Sequence, residues 1–117
     1  MTDLPLLAYK VLTGPQMAQL EADGMFKGAP VDLADGYIHL STEAQLTETV
    51  DKHFAGQDDL HVAAVDLAAL GAAVKWEPSR GGQLFPHIYA DLPLNAVVAY
   101  SPLERDEDGT VRLPIAS

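Results

Sequence analysis

The chain has 117 residues, 48% of them hydrophobic, with 17 acidic against 7 basic side chains and a formal net charge of −10. That length fits a single domain over residues 1–117, and the apolar fraction excludes disorder although no run is long enough to span a membrane. The lack of cysteine excludes disulfides, a thiolate nucleophile and thiolate metal sites, and the few scattered cations oppose nucleic-acid binding while leaving room for one small phosphorylated ligand.

Met1-Thr2-Asp3-Leu4-Pro5 shows no basic region followed by an apolar stretch. No signal peptide is therefore expected, and a cytoplasmic location is the default. Leu6 to Leu12 is an apolar run with one charge, Lys10, and predicts the first strand. Thr13 can cap a following helix, with Pro15 in its first turn, Gln16 in capping-box position and Gly24 at its end. The turn-rich segment from Gly24 predicts a loop of roughly ten residues before the next strand.

That strand is Tyr37-Ile38-His39-Leu40, entered through Asp35-Gly36 and left through Ser41-Thr42. His39 lies mid-strand. Ser41 or Thr42 can cap the next helix, and Thr42 with Gln45 has capping-box spacing. A histidine and two hydroxyls delivered to a helix start suit a ligand-binding corner, because helix N-termini present unpaired N–H groups. The same residues equally suit ordinary caps and a hydrogen-bonded core histidine.

From Glu43 to Phe54, Leu46, Val50 and Phe54 share one face of an amphipathic helix whose last turn holds His53. Leu60 to Asp66 predicts a strand with His61 at the surface, followed by a helical turn capped by Asp66. Val74 to Glu77 is a short strand, the loop 78–83 carries Arg80, and Leu84 to Ala90 is a strand with Phe85, His87 and Tyr89 on one face. Asn95 to Tyr100 is a further strand. A hairpin tip at Asp106 to Gly109 then returns Thr110 to Leu113 as an edge strand. The four histidines show no HExxH motif and no i, i+4 pairing, so no dedicated metal site is expected. The later strands lie too close together for parallel crossovers, and the fold class is α+β.

Tyr9-Lys10-Val11-Leu12, Gly24-Met25-Phe26, Asp35 to Thr42, Trp76-Glu77 and Phe85-Pro86-His87-Ile88-Tyr89 together resemble the bacterial domain-of-unknown-function family 952, over nearly the whole chain. The resemblance implies a compact ADP-ribosyltransferase-like fold: split antiparallel sheets with two or three short helices around a nicotinamide dinucleotide cleft. The first half is also similar to tRNA 2′-phosphotransferases, with His39 and Ser41 at matching positions. Lys10 and Tyr37 stand where those enzymes have histidines, and an ammonium does not reproduce an imidazole hydrogen bond.

What the resemblance implies is binding of NAD or another nucleotide or phosphate ligand, and transfer of an ADP-ribosyl or phosphate group. His39 and His87 would carry protons across one cleft, and Glu77 would hold a ribose hydroxyl and stabilise developing positive charge. The ligand contacts would be Tyr9, Lys10, Ser41, Thr42, Arg80 and Tyr89, in a cleft floored by Lys10, His39, Ser41, Thr42 and His87. Trp76 and Phe85 are expected in the core. The alternative is a module without catalysis, binding a small ligand in the same cleft or a protein partner along the edge Thr110 to Leu113.

Overall fold

A computed structural model describes residues 4–114, the side chain of Arg80 excepted. The signal-peptide expectation at Met1 to Asp3 and the ligand role of the Arg80 side chain lie outside the described parts.

β1 (Leu7–Thr13) leads directly into α1 (Gly14–Asp23). The junction is locally encoded: Gln16 N–H donates to Thr13 Oγ1 at 3.3 Å and Thr13 N–H donates to Gln16 Oε1 at 2.9 Å, while Gly24 at φ 71° closes the helix in the left-handed region. The expected long loop is broken by two short elements, β2 (Met25–Phe26) and α2 (Pro30–Asp35). Pro30 sets the first helical φ, and Ala29 N–H donates to Asp32 Oδ2 at 2.7 Å, so a cap rather than an apolar period stabilises this single helical turn.

β3 contains only Ile38–His39, and α3 spans Glu43–His53, starting where Thr42 N–H donates to Gln45 Oε1 at 3.0 Å. β4 (Leu60–Asp66) occupies its expected residues, and Asp66 Oδ1 accepts from Ala68 N–H to open a 3₁₀ segment at Leu67–Ala73. β5 (Val74–Pro78), β6 (Leu84–Ile88), β7 (Leu92–Pro93) and β8 (Val97–Pro102) follow. The expected edge strand at Thr110 to Leu113 is reduced to one bridge, Arg105 to Val111. Two backbone bonds flank that bridge, Asp106 N–H to Thr110 O and Arg112 N–H to Glu104 O, each 2.8 Å, and the Val111 N–H donates to Thr47 Oγ1 of α3 at 3.0 Å.

The described strands form three antiparallel sheets in the orders β1-β4-β8, β2-β7 and β3-β6-β5, making the chain α+β. β1 and β4 of the first sheet are buried on both faces. Ala8, Leu12, Ala63 and Val65 pack with Met17, Leu20 and Phe26 on one side, while Tyr9, Val11, Val62 and Ala64 pack with Leu46 and Val50 of α3 on the other. This explains why β1 and β4 read as continuous apolar runs rather than as alternating strands. Lys10 lies between Ala8 and Leu12 and is 5% exposed, so the fold must supply it with a counter-charge.

Candidate functional site

The sheet β3-β6-β5 assembles the site through the period-two alternation of its strands. Ile38 and Ile88 are opposite one another and point into the core. The adjacent pair, His39 opposite His87, therefore lies on the other face, where the two imidazole centroids are 5.3 Å apart. Continuing the same register outward brings Tyr37 to Tyr89, ring centroids 5.2 Å apart. On β5, Lys75 is opposite His87 and Glu77 lies two residues further along the same face.

Each histidine is fastened by a carboxylate. Glu77 Oε1 meets His87 Nδ1 at 2.8 Å and accepts from the Tyr89 hydroxyl at 2.7 Å. Asp32 Oδ1 meets His39 Nδ1 at 2.6 Å, and Asp35 Oδ2 meets His39 Nε2 at 3.0 Å. An ionised carboxylate only accepts, so both His39 contacts are hydrogen bonds when both ring nitrogens carry protons.

Asp32 is the hub. Only 1% exposed, it accepts from Ala29 N–H on Oδ2 and from His39 N–H on Oδ1 at 3.1 Å, and Lys10 Nζ lies 2.9 Å from Oδ2 and 3.2 Å from Oδ1. Burial opposes its charge, but the His39 hydrogen bond, the Lys10 ammonium and the Ala29 amide outweigh burial and hold the carboxyl at about 2. Burial likewise presses the Lys10 ammonium downward, against the pull of Asp32. The Glu77 carboxyl is lowered by its hydrogen bonds from His87 and Tyr89, and the same bond to Glu77 raises the Tyr89 phenol to about 12.

The arrangement supplies two carboxylate-anchored imidazoles able to give or take protons, a phenol, and an exposed acidic rim. Tyr37 stacks on His87 at 4.2 Å with an interplanar angle of 26°, and Lys75 Nζ lies 4.8 Å from the Tyr89 ring centroid. A cavity of about 250 Å³ beside the rings is lined by Lys27, Asp32, Leu33, Tyr37, Tyr89 and Asp91, among others. Among the described residues no group of three or more acidic or histidine side chains is arranged to hold a metal ion. No helix among them is long and apolar enough to cross a membrane.

Residues 11–100 match the model of a family described as "Protein of unknown function (DUF952)". The chain belongs to the DUF952 family. It is also similar to the crystal structure of CC0527 from Caulobacter crescentus, with 44% identity over 91% of this chain and 93% of that one and a TM-score of 0.83. The solution NMR structure of CC0527 gives 45% identity over 92% and 91% of the two chains, with a TM-score of 0.77. No curated protein matches the chain significantly.

The DUF952 fold divides the site residues expected from sequence. It brings His39, His87, Glu77, Tyr89 and Lys10 into one connected cluster, with Lys10 joined through Asp32. It separates Tyr9, Ser41 and Thr42 from them. Tyr9 follows the alternation of β1 to the side opposite Lys10, where burial and then Glu43 raise its phenol. The Ser41 hydroxyl is bonded to Thr49 Oγ1 at 2.7 Å, towards α3. Thr42 and Tyr9 line a different groove, of about 1360 Å³, between the start of α3 and the segment 110–113.

The single cleft floored by Lys10, His39, Ser41, Thr42 and His87 thus becomes two regions, because the chain crosses from one sheet to another at Leu40 and Ser41. Nor is Lys10 placed as a free point charge for phosphate, since Asp32 occupies its ammonium. Trp76 packs against the core and Phe85 is buried, as expected. His61 departs from its expected surface position: its side chain is 25% exposed and its Nδ1 is buried without a hydrogen bond.

The sequence pattern gives Asp35 only as a turn residue and Tyr37 only as a strand residue in the place of a histidine, and it gives Asp32 no role. Two signals point to Asp32: a proline at the first helical position followed by an acid at the third, and a lone lysine inside an apolar strand that needs a buried partner.

Proposed function

We propose that the paired-imidazole cluster binds a nucleotide or other phosphate-bearing ribosyl ligand and transfers an ADP-ribosyl or phosphate group, with NAD the first cofactor to test. The observation that carries this reading is the register pairing of His39 with His87, each anchored at Nδ1 by a carboxylate, Asp32 and Glu77 respectively. Histidine changes charge near neutral pH, and a ring bonded to a carboxylate is held in one orientation. Two such rings 5.3 Å apart are suited to protonate a leaving group and to take a proton from an acceptor.

Glu77 supports the ribosyl form of the reaction. It is an ionised carboxylate at the rim, 37% exposed, able to accept from a ribose hydroxyl and to stabilise positive charge developing at an anomeric carbon. Lys27, which lines the adjoining cavity, supports a phosphate contact, whereas Lys10 is held by Asp32. The acidic chain favours a small ligand over nucleic acid.

A reading of binding without turnover is favoured by one fact: His87 is only 3% exposed. Titration with NAD, ADP-ribose and inorganic phosphate, followed by histidine imidazole NMR, separates the two. Saturable shifts at His39 and His87, lost in His39→Ala, with consumption of NAD, support transfer. Shifts without consumption support a binding module. No shifts at millimolar ligand refute both.

A further inference from the structure

His87 poses the sharpest structural question in the cluster, because a proton carrier must meet its ligand and this ring is almost wholly covered. One face of it is stacked by Tyr37, 4.2 Å away at an interplanar angle of 26°. The other phenol at the rim, Tyr89, is tied by its hydroxyl to Glu77 at 2.7 Å. Among the described residues the Tyr37 hydroxyl makes no hydrogen bond, and the ring lies against the rings of His87, His39 and Tyr89.

The surroundings permit this ring to move. Gly36, immediately before it, adopts φ 89° with nothing within 4 Å of where a Cβ would stand. The Tyr37 N–H donates to Asp32 O at 3.2 Å, which anchors the backbone but leaves the side-chain torsions free. The cavity of about 250 Å³ borders the ring and is lined by Gly36, Tyr37 and Tyr89, giving a phenol room to rotate.

We infer that Tyr37 is a displaceable cover for His87: its ring rotates aside into the neighbouring cavity and a planar ring of the ligand takes its place on the imidazole. The planar requirement follows from the slot, which one flat ring fills face to face. The Asp35 and Glu77 carboxylates at its margins select a ring carrying N–H donors or positive charge. The ligand half of this inference rests on reading the cluster as a binding site, whereas the cover is testable with no ligand present.

The test is labelling by diethyl pyrocarbonate, quantified for each histidine by mass spectrometry, with exposed His53 as internal reference. Loss of one stacked ring is expected to raise the His87 rate about tenfold in Tyr37→Ala, while Tyr37→Phe, which keeps the ring, stays within about twofold of the unmodified protein. Tyr37→Leu serves as a second variant should the alanine form fail to fold. Equal His87 rates in all folded variants overturn the cover.

In the unmodified protein, nuclear Overhauser contacts between the Tyr37 and His87 rings should vanish with saturating nicotinamide and persist with ribose 5-phosphate. Their persistence with nicotinamide overturns the ring exchange. If the labelling result holds while NAD, ADP-ribose and nicotinamide all leave the imidazoles unmoved, the cover stands and the nucleotide reading fails.

Discussion

Asp32→Asn removes one charge at the point where the site and the core meet. Every group facing that carboxylate is a donor: Ala29 N–H, His39 N–H, His39 Nδ1 and Lys10 Nζ. Asparagine must turn its own NH₂ towards one of them, and the buried Lys10 ammonium is left without a counter-ion. Breaking a buried pair by removing one partner costs about 3–5 kcal/mol, out of roughly 5–15 kcal/mol for an ordinary domain. At roughly 4 °C per kcal/mol for a chain of this size, the melting temperature should fall by roughly 12–20 °C.

Replacing Lys10 by Met in the same background removes the orphaned charge and should recover about 2 kcal/mol or more of the summed single losses. The assay is chemical denaturation of the four proteins of a double-mutant cycle at neutral pH, repeated in acid. The carboxyl titrates at about 2 when folded, against an ordinary value of 3.8. Its contribution of about 2 kcal/mol is therefore complete above pH 3.8 and is lost as pH falls towards 2. The gap between wild type and Asp32→Asn should narrow across that window. A loss under about 1 kcal/mol, or a cycle additive to within about 0.5 kcal/mol, refutes the pairing argument.

Glu77→Gln removes the carboxylate that holds the Tyr89 phenol at about 12, so one tyrosine should move down towards 10 in an ultraviolet absorbance titration. An unchanged titration curve would contradict the Tyr89 to Glu77 bond. Phe26→Ala empties a site 2% exposed in the main core and should cost about 3–5 kcal/mol in denaturant unfolding. Thr13→Ala deletes the side-chain acceptor that caps α1 and should cost about 1 kcal/mol, with little effect on the His39 and His87 NMR signals.

What was legible in the chain followed from short-range chemistry. Thr13 with Gln16 and Gly24 bounds α1, the run Leu60 to Asp66 is β4, and the run Leu6 to Leu12 carries β1 one residue further along, because caps and side-chain periodicity act within a few residues. The alternation that placed Phe85, His87 and Tyr89 on one strand face was legible for the same reason. α2 was not: its single turn has no period to detect and depends on one carboxylate. The strand expected at Thr110 to Leu113 shortens to one bridge, and its Val111 amide is bonded to Thr47, 64 residues earlier, a contact no local pattern announces.

The sequence by itself therefore determined the α+β class, the principal helices, most strand positions and the presence of His39, His87 and Glu77 as candidates for chemistry. Only the tertiary structure decided which of these meet. The antiparallel register of β3 on β6 sets His39 against His87, and the crossing between sheets at Ser41 sends the hydroxyls to the far side. It also gives Lys10 its partner, Asp32, 22 residues away. A buried charge requires a counter-charge by elementary electrostatics, but which residue supplies it depends on how the chain packs.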